Sequence, residues 1–327
     1  MIVSAIAENI ERAALALIAG ELVAFPTETV YGLGADARNP VALRRLFKAK
    51  GRPDDHPIIV HLANAAALPQ WARTVPVSAQ LLAVAFWPGP LTLILPRAEG
   101  VSDIVTGGQD SVGLRVPGHD VAQALLAKVA ARGCDGIAAP SANRFGRISA
   151  TTARHVADEF GDAIAMIIDG GPSRHGIEST VVDLTGSQPA LLRPGAISIE
   201  ALTRVLGTPP TTPTASSPRA SGMLAKHYAP ETRARLLQRN ELLAALGRMG
   251  GPGSHIAVLA HSVTQPPAFE GTWFDAPAES ARYAHQLYAN LRALDAREAD
   301  EIWIEAPPDG PEWTAVGDRL RRATHRD

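Results

Sequence analysis

Cysteine, aromatic residues and lysine are scarce in this chain, and each scarcity excludes something. The 327 residues include a single cysteine, Cys134, so neither an intrachain disulfide framework nor a cysteine zinc cluster can form. A reducing, cytoplasmic setting is expected, with Cys134 a small semi-buried residue on the loop before Ile137. Aromatics are 5% of the chain, too few for the stacking platforms that single-stranded nucleic-acid binders use. Charge of one sign is also lacking: 31 Lys+Arg stand against 33 Asp+Glu, and both halves are near neutral. That balance argues against a polybasic nucleic-acid or membrane-surface protein and against an acidic disordered chain.

No long apolar run is present. The most apolar stretch, Leu81 to Leu95, is broken by Pro88, Gly89 and Pro90, so no membrane span is expected. The N-terminus carries Glu8 and Glu11 without a basic leader and does not read as a secretory signal. Familiar phosphate signatures fail. Gly171 to Glu178, GPSRHGIE, has Ile177 and Glu178 where a P-loop has Lys and Ser/Thr, and Gly32-Leu33-Gly34 has Ala37 at the third glycine position of a dinucleotide fingerprint. HExxH and GxSxG are missing.

What is present reads as α/β. Helical periodicity covers Ala7 to Ala19, Pro40 to Ala49, Val77 to Phe86, Val121 to Ala131 and Thr151 to Phe160. β-rich runs lie at Leu22 to Phe25, Ile58 to His61, Leu91 to Leu95, Val112 to Val116, Ile164 to Ile168 and Thr180 to Leu184. The stretch GTPPTTPTASSPRASG, Gly207 to Gly222, is a Pro/Thr/Ser linker. Beyond it, strands near Arg233 to Leu237, His255 to Ala260 and Glu301 to Glu305 alternate with helices at Asn240 to Arg248, Ala278 to Leu294 and Pro311 to Ala323. This pattern predicts a small domain of parallel strands and covering helices. The expected division is residues 1–206, a linker and lid at 207–230, and a second domain at 231–327.

Several stretches could carry chemistry. FPTETVYGLG, residues 25–34, follows an apolar strand; it is either a strand-to-helix turn with locally bonded threonines or a turn presenting hydroxyls and N–H groups to a ligand. RRLFKAKGR, residues 44–52, concentrates cations at a helix C-terminus, where the helix dipole alone favours them. Only four of the 31 basic residues are lysines, however, and Lys48 and Lys50 are two of them. Lysine offers a compact charge to phosphate, and arginine two bonds at once. His56 and His61 flank the run PIIV, as structural histidines or, with Asp54 and Asp55 near, as a weak metal pattern. Arg115 interrupts an apolar strand and needs an anion, from an internal carboxylate or from a ligand. Ser141-Ala142-Asn143 leaves the strand IAAP at the edge where α/β sheets bind ligands, and Glu178-Ser179-Thr180 enters the strand TVVDL. Lys226-His227-Tyr228 follows the linker on an arm whose purpose would be to dock.

Taken together, PTETVYGLG, Lys50-x-Arg52-Pro53, IIVH, LRVP, Ser141-x-Asn143, IESTVVD, LLRPG and KHYAP resemble the YrdC-like threonylcarbamoyl-AMP synthases in their two-domain form. The fold implied by the resemblance is a twisted mixed α/β sheet with a concave cationic cavity, followed by a small Rossmann-like α/β domain. The implied reaction joins L-threonine, bicarbonate or CO2, and ATP, with Mg2+ on the triphosphate and no metal held by the protein. It yields threonylcarbamoyl-AMP and pyrophosphate. A separate transferase complex then modifies tRNA, and weak RNA binding is a further expectation. By the same resemblance Lys50 and Arg52 are catalytic and hold phosphates. Thr29, His61, Arg115, Ala139 and Ser179 would hold threonine, with Arg115 on its carboxylate. His56, Ser111, Ser141, Asn143, Ser149, Arg193, His227 and Tyr228 would add ATP contacts. Asn in place of His56 and Tyr in place of Ala225 occur in some relatives. Two other classes compete: a non-catalytic RNA-binding module, and the carbamoyl-adenylate chemistry of hydrogenase maturation proteins, which are larger and carry zinc-finger cysteines.

Overall fold

The computed structural model describes residues 1–248 and 255–325. Two compact units are present: residues 1–145 with 149–223, and residues 146–148 with those from Leu224 onward. No helix among the described residues is long and apolar enough to cross a membrane.

The first unit is built on one mixed sheet. Its strands in chain order are β1 (Ile2–Ser4), β2 (Val23–Phe25), β3 (Gly32–Asp36), β4 (Ile59–His61), β5 (Leu91–Pro96), β6 (Ser111–Arg115), β7 (Ile137–Ala138), β8 (Met166–Asp169), β9 (Thr180–Asp183) and β10 (Ala190–Arg193). They lie side by side as β1-β8-β2-β3-β7-β4-β6-β5-β9-β10. The β4/β6 and β5/β9 pairs are parallel, while β7 and β5 run antiparallel to β4 and β6.

Side-chain alternation along these strands, period two, separates two faces. Val60, Leu93, Val112, Leu114, Ala138 and Val182 point into one apolar core, which also holds Leu43 and Leu46 of helix Pro40–Lys50 and Leu82 of helix Val77–Phe86. On the other face Val23, Phe25, Ile137, Ala139, Met166 and Ile168 pack against helices Ala7–Ile18 and Asp120–Ala130. Those two helices stop short of β5 and β9, where Ile94 and Val181 instead meet Ala220 and Met223 of the linker. The stretch of sheet between these two covers is where polar side chains collect.

The sequence reading takes residues 25–34 as a turn ending in glycines; the structure makes them the hairpin that joins β2 to β3, with Val23 opposite Gly34 and Phe25 opposite Gly32. Gly34 stands here because a Cβ would come within 3.0 Å of both the Phe25 ring and the Ile137 side chain. A glycine required by close packing is indistinguishable, in sequence, from one required by a turn. The three- and four-residue strands β1, β10 and β13 (Thr272–Asp275) are also unforeseen, being too short to show alternation.

In the second unit β11 (Ala234–Leu237), β12 (Ile256–Ala260), β13 and β14 (Glu301–Glu305) form a sheet in the order β11-β14-β12-β13; its strands are parallel, as the alternation predicts, with β13 added to the three expected. Helices Arg239–Gly247, Ser280–Asp295 and Thr314–Ala323 complete it.

Candidate functional site

The uncovered stretch of sheet follows from the same alternation. With Val60, Leu114 and Val182 in the core, His61, Ser111, Gly113, Arg115, Ser179 and Val181 must face the other way. Parallel register sets His61 directly beside Arg115. The backbone N–H of Ala139, leaving β7, bonds the Ile59 carbonyl at 3.0 Å, and since β7 runs antiparallel to β4 the Ser141-Ala142-Asn143 loop leaves past the Ile59 end of β4, opposite the His61 end.

Arg115 has its anion inside the protein. Its Nη2 donates to Oε1 of Glu28 at 2.6 Å, and Nε to the Gly89 carbonyl at 3.3 Å. Both side chains are buried, 5% and 3% exposed. Burial pushes the Glu28 carboxyl up, but the Arg115 charge and hydrogen bond outweigh it and hold the group below the ordinary carboxylate range. His61 is buried and pushed down to about 3, first by burial and then by Arg115, so its imidazole is neutral. Thr29 is fully buried, its hydroxyl 2.8 Å from that of Thr27. Ser179 shares a 2.8 Å hydrogen bond with Thr92 and accepts from Nη2 of Arg193 at 3.0 Å.

The cationic side of the site comes from the end of helix Pro40–Lys50. Gly51 terminates that helix in the left-handed conformation, with φ 61°. Lys50, 2% exposed, donates to the carbonyls of Ser141 and Asn143. Burial, and then the neighbouring Arg52, hold its ammonium well below the usual lysine range. Arg52 reaches the Pro57 carbonyl through Nη2 at 2.9 Å and the Ser221 hydroxyl at 3.2 Å. Arg193 donates through Nη1 to the Ser221 carbonyl at 2.6 Å. One linker residue therefore bridges the two guanidinium groups. His56 lies beside Phe145, and its pKa is lowered by burial and by Arg52. Ser149 donates to Oε1 of Glu178 at 2.5 Å.

The linker is stitched down here. The amide of Gln109 pairs with the backbone of Arg219 in both directions, at 2.7 and 3.1 Å, and the Arg219 guanidinium caps the carbonyls of Gly107 and Asp55. A slot remains beneath it, lined by Ile59, Ile94, Ser111, Gly113, Ala220 and Ser221 among others. Residues 211–216 before the strap are exposed, whereas Ala220 is 9% exposed.

Of the residues singled out in the sequence, Thr29, Lys50, Arg52, His56, His61, Ser111, Arg115, Ala139, Ser141, Asn143, Ser149, Ser179 and Arg193 lie in the first unit. His227 and Tyr228 belong to the second unit. There the His227 N–H bonds the Arg322 carbonyl, and Tyr228, at φ 61°, packs against Tyr288 and the buried Arg319. Glu28, Thr92, Arg219 and Ser221 went unassigned in the sequence reading. A hydroxyl in LTLIL and a carboxylate in FPTETV were the available signals for two of them; the linker residues had none.

Comparison with known proteins gives a consistent picture. A family model described as telomere recombination matches residues 16–195, and one described as the threonylcarbamoyl-AMP synthase C-terminal domain matches residues 197–324. The chain is 40% identical over 316 residues to the threonylcarbamoyl-AMP synthase of Pyrococcus abyssi, covering 93% of this chain and 91% of that one. It is 38% identical over 324 residues to the enzyme of the same name from Bacillus subtilis, covering 96% and 92%. The crystal structure of P. abyssi Sua5 complexed with L-threonine superposes with a TM-score of 0.90 at 37% identity, over 99% of this chain and 97% of that one.

Proposed function

This chain belongs to the threonylcarbamoyl-AMP synthase family and is an L-threonylcarbamoyladenylate synthase serving tRNA threonylcarbamoyladenosine formation; from that premise we propose how its residues divide the work. L-Threonine, bicarbonate or CO2, and ATP give threonylcarbamoyl-AMP and pyrophosphate, a nucleotidyl transfer. The threonine amine becomes a carbamate, and a carbamate oxygen attacks the α-phosphorus as pyrophosphate leaves.

The observation that supports this division most is the sheet face on which neutral His61 lies beside Arg115 and Ser179 contacts Arg193, whose guanidinium shares Ser221 with that of Arg52. In the proposed arrangement Thr29, His61, Arg115, the backbone at Ala139 and Ser179 receive threonine. Neutral His61 adds hydrogen bonding without a second positive charge. Arg52 and Arg193 receive the triphosphate, with Ser111, Ser141, Asn143, Ser149 and the loop at His56 around the nucleoside. Lys50 organises the Ser141–Asn143 loop through its carbonyls, and an arriving polyphosphate would favour its charged form. Such a site works by positioning and by cationic stabilisation of converging negative charge. Mg2+ is proposed to enter on the triphosphate, since the side chains offered to the phosphates are cations and not metal ligands.

The strap at 219–223 is proposed as the lid. Ser221 lies on the two guanidinium groups that phosphates would seek, so nucleotide and strap compete for the same donors. Closed over the adenylate, the strap would exclude the water that hydrolyses it. The product is proposed to pass to a separate transferase.

Pyrophosphate release from ATP should require both threonine and bicarbonate, and Lys50→Ala should lower it at least about a hundredfold, the scale of losing an electrostatic donor from a transition-state site. Release without threonine would overturn the reading.

A further inference from the structure

Glu28 has one oxygen too many for a purely internal ion pair. Its Oε1 takes the Arg115 hydrogen bond, but Oε2 is buried and has no hydrogen-bond partner among the described residues. Leaving a buried carboxylate oxygen without a donor is costly. An apolar pair in place of both Glu28 and Arg115 would avoid that cost if the two positions served packing alone. The neighbours do not remove it: the backbone N–H groups of Gly118 and of Glu28 itself help hold the carboxyl ionised without closing a hydrogen bond to Oε2, His61 is neutral with its own Nδ1 buried and unpartnered, and the Nδ1 of His119 already accepts from the Val121 N–H. Arg115 mirrors the situation. Its Nη2 and Nε are engaged, and no hydrogen bond to Nη1 is found among the described residues. The pair is thus neutral overall, with a spare acceptor on the anion and a spare donor on the cation.

A neutral pair with one spare arm of each sign is the complement of a zwitterion. An α-amino acid carries its carboxylate and ammonium on one carbon, at the spacing of such adjacent arms. We propose that Glu28 Oε2 binds the α-ammonium of the amino-acid substrate while Arg115 binds its carboxylate, so that Glu28 selects for a free α-amine. This rests on the synthase reading above and extends it to the substrate's amine. Arg115 keeps Glu28 ionised, which makes it a good partner for an ammonium and a weak base. Its role is to hold and aim the nitrogen, and the proton lost on carbamate formation leaves by another route.

The test is calorimetric titration of the full chain with L-threonine and with 2,3-dihydroxybutanoate, in which a hydroxyl replaces the amine. Wild-type protein should prefer threonine by about 10- to 100-fold, the scale of one charged hydrogen bond. Glu28→Gln should bring that preference within about threefold, with ATP affinity unchanged. Equal weakening of both ligands, leaving their ratio intact, would mean that Glu28 only supports Arg115, and would overturn the assignment. Wild-type protein that binds no threonine would instead overturn the synthase reading. Should Glu28→Gln fail to fold by circular dichroism, Glu28→Asp keeps the charge but withdraws it by one methylene. A preference unaltered in that variant would equally refute the proposal.

Discussion

His61 shows what burial does to a single side chain. It is 3% exposed, and its folded pKa of about 3 lies below the unfolded value of 6.5. The unfolded chain therefore binds a proton that the folded chain refuses, and acid favours unfolding across the window between those values. Stability attributable to His61 is complete above pH 6.5 and falls as the pH is lowered, by about 2 kcal/mol at pH 5. Urea unfolding of wild type and His61→Gln at pH 7.5 and 5 should show that extra loss in wild type alone; equal losses would contradict a neutral buried imidazole. Residue chemistry was partly legible beforehand. An arginine inside an apolar strand demanded an anion, and two lysines in a lysine-poor chain drew attention to Lys50. That the anion would be Glu28, and that Lys50 would cap two carbonyls, was not legible, because those partners lie 87, 91 and 93 residues away in the chain.

At the scale of the element, β6 separates stability from function one residue at a time. Val112 and Leu114 enter the core, while Ser111, Gly113 and Arg115 face the site. Val112→Ala should cost about 1–3 kcal/mol of stability, through lost burial and a residual cavity, and leave the nucleotide affinity of the folded protein unchanged. Ser111→Ala should do the reverse, weakening nucleotide binding severalfold with a stability change below about 1 kcal/mol. Denaturant midpoints paired with nucleotide titrations would show whether the two effects divide this way. The alternation behind that division is visible in SVGLR itself. Helix Val77–Phe86 matches its sequence expectation, and Glu301–Glu305 does likewise among the strands, because each has a full period and clear Pro or charged boundaries. The β2–β3 hairpin was misread because its glycines serve packing against Phe25 and Ile137, and such contacts have no local signature.

For the whole molecule, the linker is the feature whose composition and whose structure say different things. Pro, Thr and Ser announce a tether, and residues 211–216 are exposed as a tether should be; residues 219–223 nevertheless lie in the first unit, bound to Gln109, Arg52 and Arg193. Limited proteolysis should cut first within 211–216 and spare 219–223. Addition of ATP with threonine should change the cutting rate if the strap is the lid, and an unchanged rate would count against it. The α/β class, the alternation that gives each strand a buried and an opposite face, and the cationic helix end are properties of short stretches, and the amino-acid order alone determined them. Which polar groups meet was decided only by the tertiary structure. The lateral order β7-β4-β6-β5-β9 brings segments spread between residues 59 and 183 onto one face, out of their order in the chain. Strand order is set by how the whole set of faces can be buried at once, which no single segment encodes.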